Sequence, residues 1–123
     1  MIRRTIPQKT ISNEVELNGV GLHSGQKVNI KFKPAPVDTG LVFIREDLSE
    51  DNMINANIKY ISNTDRGTNI DNGIVRIQTS EHVLAALVGL GIDNCFISLN
   101  GPEVPIMDGS SKDFIQVLET AEI

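Results

Sequence analysis

Glu81 and His82 set a carboxylate beside an imidazole where the 123-residue chain turns from strand to helix. The alternating run Ile74, Val75, Arg76, Ile77, Gln78 precedes them, and the apolar run from Val83 to Val88, closed by Gly89 and Gly91, follows. Thr79 or Ser80 can cap that helix by accepting a hydrogen bond from a first-turn N–H, which places Glu81 and His82 among the unsatisfied donors of the helix N-terminus. Two chemistries fit the pair. In one, the glutamate complements the helix dipole and the histidine beside it is solvated. The other is metal-assisted hydrolysis. The positive end of a helix disfavours an imidazolium and metal binding needs the neutral ring, so His82 suits a ligand and Glu81 a general base toward water.

Ligand supply restricts the second chemistry. A catalytic zinc ion takes about three protein ligands plus water, whereas the chain holds two histidines, His23 and His82, a single cysteine, Cys95, and no HExxH spacing. His23 lies in Gly19-Val20-Gly21-Leu22-His23-Ser24-Gly25, where three glycines allow positive φ or close approach of the backbone. It suits a second ligand, a substrate contact, or a hydrogen-bonded loop residue. That loop lacks the Walker ending and no GxGxxG opens a helix, so it reads poorly as a phosphate cradle. Glu103, Asp108 and Asp113 resemble a carboxylate cluster, but loop rigidity and capping account for them. Cys95, between Asn94 and Phe96 in a strand-like run, reads as a buried thiol without a disulfide partner.

The elements that must position these groups follow from the hydrophobic pattern. Residues Thr5 to Leu17 suggest two short strands broken near Ser12 and Asn13. From Lys27 to Lys33 the chain alternates fully, with Val28, Ile30 and Phe32 on one face, as in a half-buried strand. Pro34 to Pro36 ends it, and Asp38-Thr39-Gly40 turns into Leu41 to Ile44, a continuous apolar run expected to be covered on both faces. Glu46 to Asp51 reads as an exposed loop and Ala56 to Ile61 as another strand. Asp71-Asn72-Gly73 is a hairpin turn into the strand before Glu81. After the helix, Asp93 to Leu99 alternates again. Ser110 or Ser111 caps a final helix with Asp113 in its first turn and Phe114, Ile115, Val117 and Leu118 as its stripe. The expected fold is therefore α+β in two layers, a mixed β-sheet with two helices packed on one face.

Composition bounds the function. One domain suits this length, which buries roughly two thirds of the surface of the unfolded chain. With 40% hydrophobic and 22% charged residues the sequence is that of a globular protein. A net charge of -5 and 4% aromatic residues, with no Trp, argue against nucleic acid as a partner. No apolar run approaches the roughly 20 residues that span a bilayer, and Met-Ile-Arg-Arg-Thr-Ile lacks a secretory h-region. The expectation is a cytoplasmic protein without a transmembrane segment.

Five ordered stretches together resemble the UDP-3-O-acyl-N-acetylglucosamine deacetylase family, the zinc hydrolases of bacterial lipid A synthesis. They are Gly19 to Gly25; Pro34-Ala35-Pro36 with Asp38-Thr39-Gly40; Thr79-Ser80-Glu81-His82; Leu90-Gly91-Ile92-Asp93-Asn94; and Pro102-Glu103-Val104-Pro105-Ile106-Met107-Asp108-Gly109-Ser110. The resemblance implies that residues 1–123 form the first, N-terminal domain of a two-domain enzyme whose layered α+β halves enclose the site. It further implies that His82 is a zinc ligand and Glu81 the general base, with His23, Arg66, Gly67 and Thr68 near the active site. The remaining ligands, a His and an Asp, and a His acting as general acid would belong to the other domain. On this reading the substrate is a UDP-linked, acylated glucosamine and the product acetate. Zinc would have one ligand here, and the chain alone would be inactive. The competing expectation is a non-catalytic interaction domain or remnant of the same fold; a third is a metal-independent UDP-binding domain. Surface meant for the second domain, including Val20, Leu22 and Ile106, would favour self-association.

Overall fold

The strand from Lys27 to Pro34, here β2, shows why the chain forms a sheet with one buried face. Its Val28, Ile30 and Phe32 are buried while Lys27, Asn29, Lys31 and Lys33 are more exposed. It pairs antiparallel with β1 (Val15–Val20) on one side and with β8 (Cys95–Leu99) on the other. β8 runs parallel to β3 (Leu41–Arg45), which pairs antiparallel with β4 (Met53–Asn55). The result is a mixed five-stranded sheet in the order β1-β2-β8-β3-β4. The computed structural model describes residues 7–64 and 67–123.

A second, three-stranded antiparallel sheet is formed by β5 (Ile61–Thr64), β6 (Gly67–Asp71) and β7 (Arg76–Ile77). The Asp71-Asn72-Gly73 hairpin turns as expected, because the Asp71 carboxylate accepts the Gly73 N–H and the Asn72 side-chain Oδ1 accepts those of Ile74 and Val75. The α+β class and the mixed sheet agree with the hydrophobic pattern; the separate small sheet goes beyond it.

Helices α1 (Glu81–Gly89) and α2 (Lys112–Thr120) contact each other, and their buried residues join the sheet in one hydrophobic core. Phe114 of α2 meets Phe32 of β2 edge to face, with centroids 6.4 Å apart at 73°. Cys95 is fully buried in this core, as expected, and burial pushes its thiol up to about 12 against the opposing effect of a backbone hydrogen bond at Lys33.

Several local expectations are corrected. Of the two strands expected over Thr5 to Leu17, Val15 to Leu17 open β1, residues 7–14 form none, and Thr5 and Ile6 lie outside the described residues. Of the strand expected over Ala56 to Ile61 only Ile61 lies in one, opening β5, because a 3-10 turn over Ile58–Tyr60 carries the chain from β4 into the second sheet. Gly19 and Val20 belong to β1, so the glycine-rich connection starts at Gly21. Of the residues expected to cap the helices by accepting a first-turn bond, Ser80 at α1 and Ser111 at α2 do not, whereas Ser110 does. At α2, Ser110 Oγ, one residue earlier, accepts the Lys112 N–H at 3.2 Å. Among the described residues no helix is long and apolar enough to cross a membrane.

Candidate functional site

The junction between β6 and α1 is held by the backbone of Thr68. Its carbonyl accepts both the Ser80 N–H at 2.9 Å and the Ser80 hydroxyl at 3.0 Å. The hydroxyl is thereby drawn away from capping. In return, the Thr68 N–H donates to Glu81 Oε2 at 3.0 Å. One residue of a strand thus fixes both the start of α1 and the direction of its first carboxylate.

Gly67 completes this seat. Its φ is +118°, and a Cβ built there would lie 2.8 Å from Glu81 Oε1 and 3.1 Å from Oε2. Only glycine gives that conformation and that approach together. The partly buried Glu81 carboxylate is therefore packed against bare backbone at the positive end of α1. His82 follows it in the first turn and is half-buried.

The loop carrying His23 reaches this junction through Glu103, whose place in the sequence is explained by loop rigidity and capping alone. The strap from Pro102 to Ile106 runs between the two sheets. On one side Gln78 N–H donates to the Pro102 carbonyl and Val104 N–H to that of Gln78; on the other, Ile106 N–H donates to the carbonyl of Val20. Within the strap, Glu103 is 1% exposed. Its Oε2 accepts the His23 N–H at 2.8 Å and faces Thr79 Oγ1 at 3.4 Å, and its Oε1 accepts the Ser24 N–H at 3.2 Å. Burial alone would raise this carboxyl. The hydrogen bonds from His23 and Ser24, with the nearby His23 charge, outweigh it and hold Glu103 below the ordinary value.

Gly21 makes room for that carboxylate, since a Cβ there would run into Glu103 Oε1 and come within 2.5 Å of Ser24 Oγ. Thr79 is buried with φ +61°, a conformation that β-branched residues rarely adopt. Asn69 Oδ1 accepts its N–H at 3.4 Å.

The structure therefore joins Glu81, Gly67 and Thr68 directly, and ties the His23 loop through Glu103 to Thr79, three residues before His82. Arg66 lies outside the described residues. The supposed carboxylate cluster is not one site: Glu103 is buried in the strap, Asp108 turns locally onto Ser110, and Asp113 opens α2. Among the described residues, no group of three or more His, Cys, Asp or Glu side chains is placed to hold a metal ion. The His, Cys, Asp and Glu donors among the described residues do not by themselves make a whole metal site.

Residues 8–123 match the family described as LpxC: UDP-3-O-acyl N-acetylglycosamine deacetylase. The chain is 51% identical over 118 residues to the bifunctional enzyme LpxC/FabZ of Chlorobaculum tepidum, covering 96% of this chain and 25% of that protein. It is 48% identical to the UDP-3-O-acyl-N-acetylglucosamine deacetylase of Acidithiobacillus ferrooxidans, covering 96% of this chain and 39% of that one. The corresponding protein of Pseudomonas entomophila is 48% identical, with 94% of this chain and 38% of the relative covered. The chain thus spans between a quarter and two fifths of the length of these relatives.

Proposed function

The chain belongs to the LpxC family of UDP-3-O-acyl N-acetylglycosamine deacetylases, and from that footing we propose that it is the first of two domains of a zinc-dependent amide hydrolase. The whole enzyme removes acetate from a UDP-linked, 3-O-acylated N-acetylglucosamine in lipid A biosynthesis, in the cytoplasm. The observation that carries the reading is the seat of Glu81, whose carboxylate is oriented by the Thr68 N–H against Gly67.

Glu81 is the general base. A carboxylate offers about four lone-pair sites, and one donor from the strand fixes its direction while leaving it able to take a proton from water. His82 would be the single ligand from this domain, on the turn of helix that Glu81 opens. Zinc, when bound, would polarise the substrate carbonyl and stabilise negative charge developing on its oxygen. His23, whose loop is tied through Glu103 to Thr79, would lie near the same site, and Gly67 and Thr68 border the base. The remaining ligands and the general acid come from the second domain, so the isolated chain is inactive. Val20 and Leu22, 47% and 55% exposed, and the partly exposed Ile106 form part of the surface that the second domain covers. In its absence they favour pairing of two copies.

Replacing the matching segment of the Acidithiobacillus ferrooxidans relative by this chain tests the reading. The chimera should release acetate from the UDP-linked substrate, with turnover lost in Glu81→Gln and His82→Ala, while the chain alone stays inactive. Deacetylation by the isolated chain, or full turnover of Glu81→Gln, contradicts it. A chain that acts only as an interaction domain would leave a folded chimera inactive.

A further inference from the structure

We infer that Glu103 is a positioning residue, a buried carboxylate that locks the His23 loop to Thr79 and so sets where α1 presents Glu81 and His82. The inference rests on the proposed roles of Glu81 and His82.

Among the described residues, Glu103 is the one acidic or basic side chain counted as buried. Burying a carboxylate is costly unless donors replace its water. Here they come from two distant segments: the His23 and Ser24 N–H groups at 2.8 and 3.2 Å, and the Thr79 hydroxyl at 3.4 Å. An apolar residue of similar volume would fill the space without that cost but would hold neither segment. Two features show that the surroundings are shaped around the charge. Gly21 lacks the Cβ that would displace Oε1, and the strap itself is fixed on both sides by backbone bonds to Gln78 and Val20.

The Thr79 contact connects this lock to the chemistry. With φ at +61°, Thr79 is kept in its conformation by its surroundings, namely Asn69 on its N–H and Glu103 on its hydroxyl. A change in φ at this position reorients the backbone that follows, and the next three residues are Ser80, Glu81 and His82. The lock thus acts through Thr79 on groups that Glu103 does not touch.

Two measurements on Glu103→Gln test this. The substitution keeps shape but places an amide NH2 against backbone donors. In the isolated chain, amide resonances of Glu81 and His82 should shift along with those of His23 and Ser24. In the chimera, kcat should fall by about tenfold to a hundredfold with KM within about twofold, as misplacement of reacting groups predicts. Thr79→Ala, which removes one donor and leaves the carboxylate in place, should give a smaller loss of the same kind and serves if Glu103→Gln does not fold. Shifts confined to residues 21–24, or unchanged kcat in the folded variants, overturn the inference. Glu81→Gln separates the two claims: if it turns over normally, the base assignment fails, whereas the amide shifts still report whether Glu103 governs the start of α1.

Discussion

Adding one methyl group at Gly67 should impair Glu81, the proposed base, without altering its own chemistry. In Gly67→Ala the new Cβ would lie 2.8 Å from Glu81 Oε1, 3.1 Å from Oε2 and 3.3 Å from Cδ. Relief of that overlap requires the carboxylate to retreat by about 0.5 Å, which stretches its 3.0 Å bond from Thr68 toward the limit of a hydrogen bond. Alanine at φ +118° also adds backbone strain of about 1–3 kcal/mol. For a domain of this size that corresponds to a fall in Tm of about 4–12 °C. Since a 1 Å misplacement can cost about a hundredfold in rate, half that displacement should cost about tenfold in kcat of the chimera. Gly73→Ala provides the comparison. Its φ is +88° and nothing lies within 4 Å of an added Cβ, so it should lower Tm similarly and leave kcat unchanged. Thermal melts and initial-rate kinetics on both variants decide the matter. If Gly67→Ala keeps wild-type kcat, or Gly73→Ala loses as much, the seat described for Glu81 has no role in turnover.

Acid should weaken the fold through Glu103. Its folded-state carboxyl lies below the ordinary value of 4.5, so its contribution is complete above that pH and is lost as pH falls through the lower folded value. Tm should therefore fall less steeply below pH 4.5 in Glu103→Gln than in the unmodified chain, and parallel profiles would refute this. Phe114→Ala should cost about 3–5 kcal/mol, a large share of a typical 5–15, because the ring is fully buried against Phe32; urea denaturation showing a loss under about 1 kcal/mol would contradict the packing. Light scattering of the isolated chain should show mass rising with concentration, and Leu22→Asp should suppress it. A monomer at every concentration refutes pairing through that surface.

The parts of the fold that were legible are those in which burial follows chain geometry. Lys27 to Lys33 alternates because one face of β2 meets the core and the other meets water. The hairpin at Asp71 was legible because its side chains bond to backbone only two or three residues away. Ala56 to Ile61 misled because a short apolar run looks alike in a strand and in a 3-10 turn. Ser80 misled for a different reason: β6, distant in sequence, offers its hydroxyl a carbonyl at 3.0 Å.

Glu81 and His82 stood out because type and position coincide at one helix start. Glu103 did not. Its donors lie 79 and 80 residues upstream and 24 residues upstream, and no local spacing encodes such contacts. The signal available was indirect, a charged residue enclosed by Pro102 and Pro105 in an otherwise apolar strap, together with glycines at 19 and 21 that imply something close by.

On the proposed function this chain supplies a base and one ligand, and the rest of the metal site lies in the second domain. Calorimetric titration with zinc, on the isolated chain and on the chimera, measures that division. The chimera should bind one equivalent tightly and lose it in His82→Ala, while the isolated chain should show no tight site. Stoichiometric, tight binding of zinc by the isolated chain would mean that this domain holds a complete metal site by itself and would refute the division.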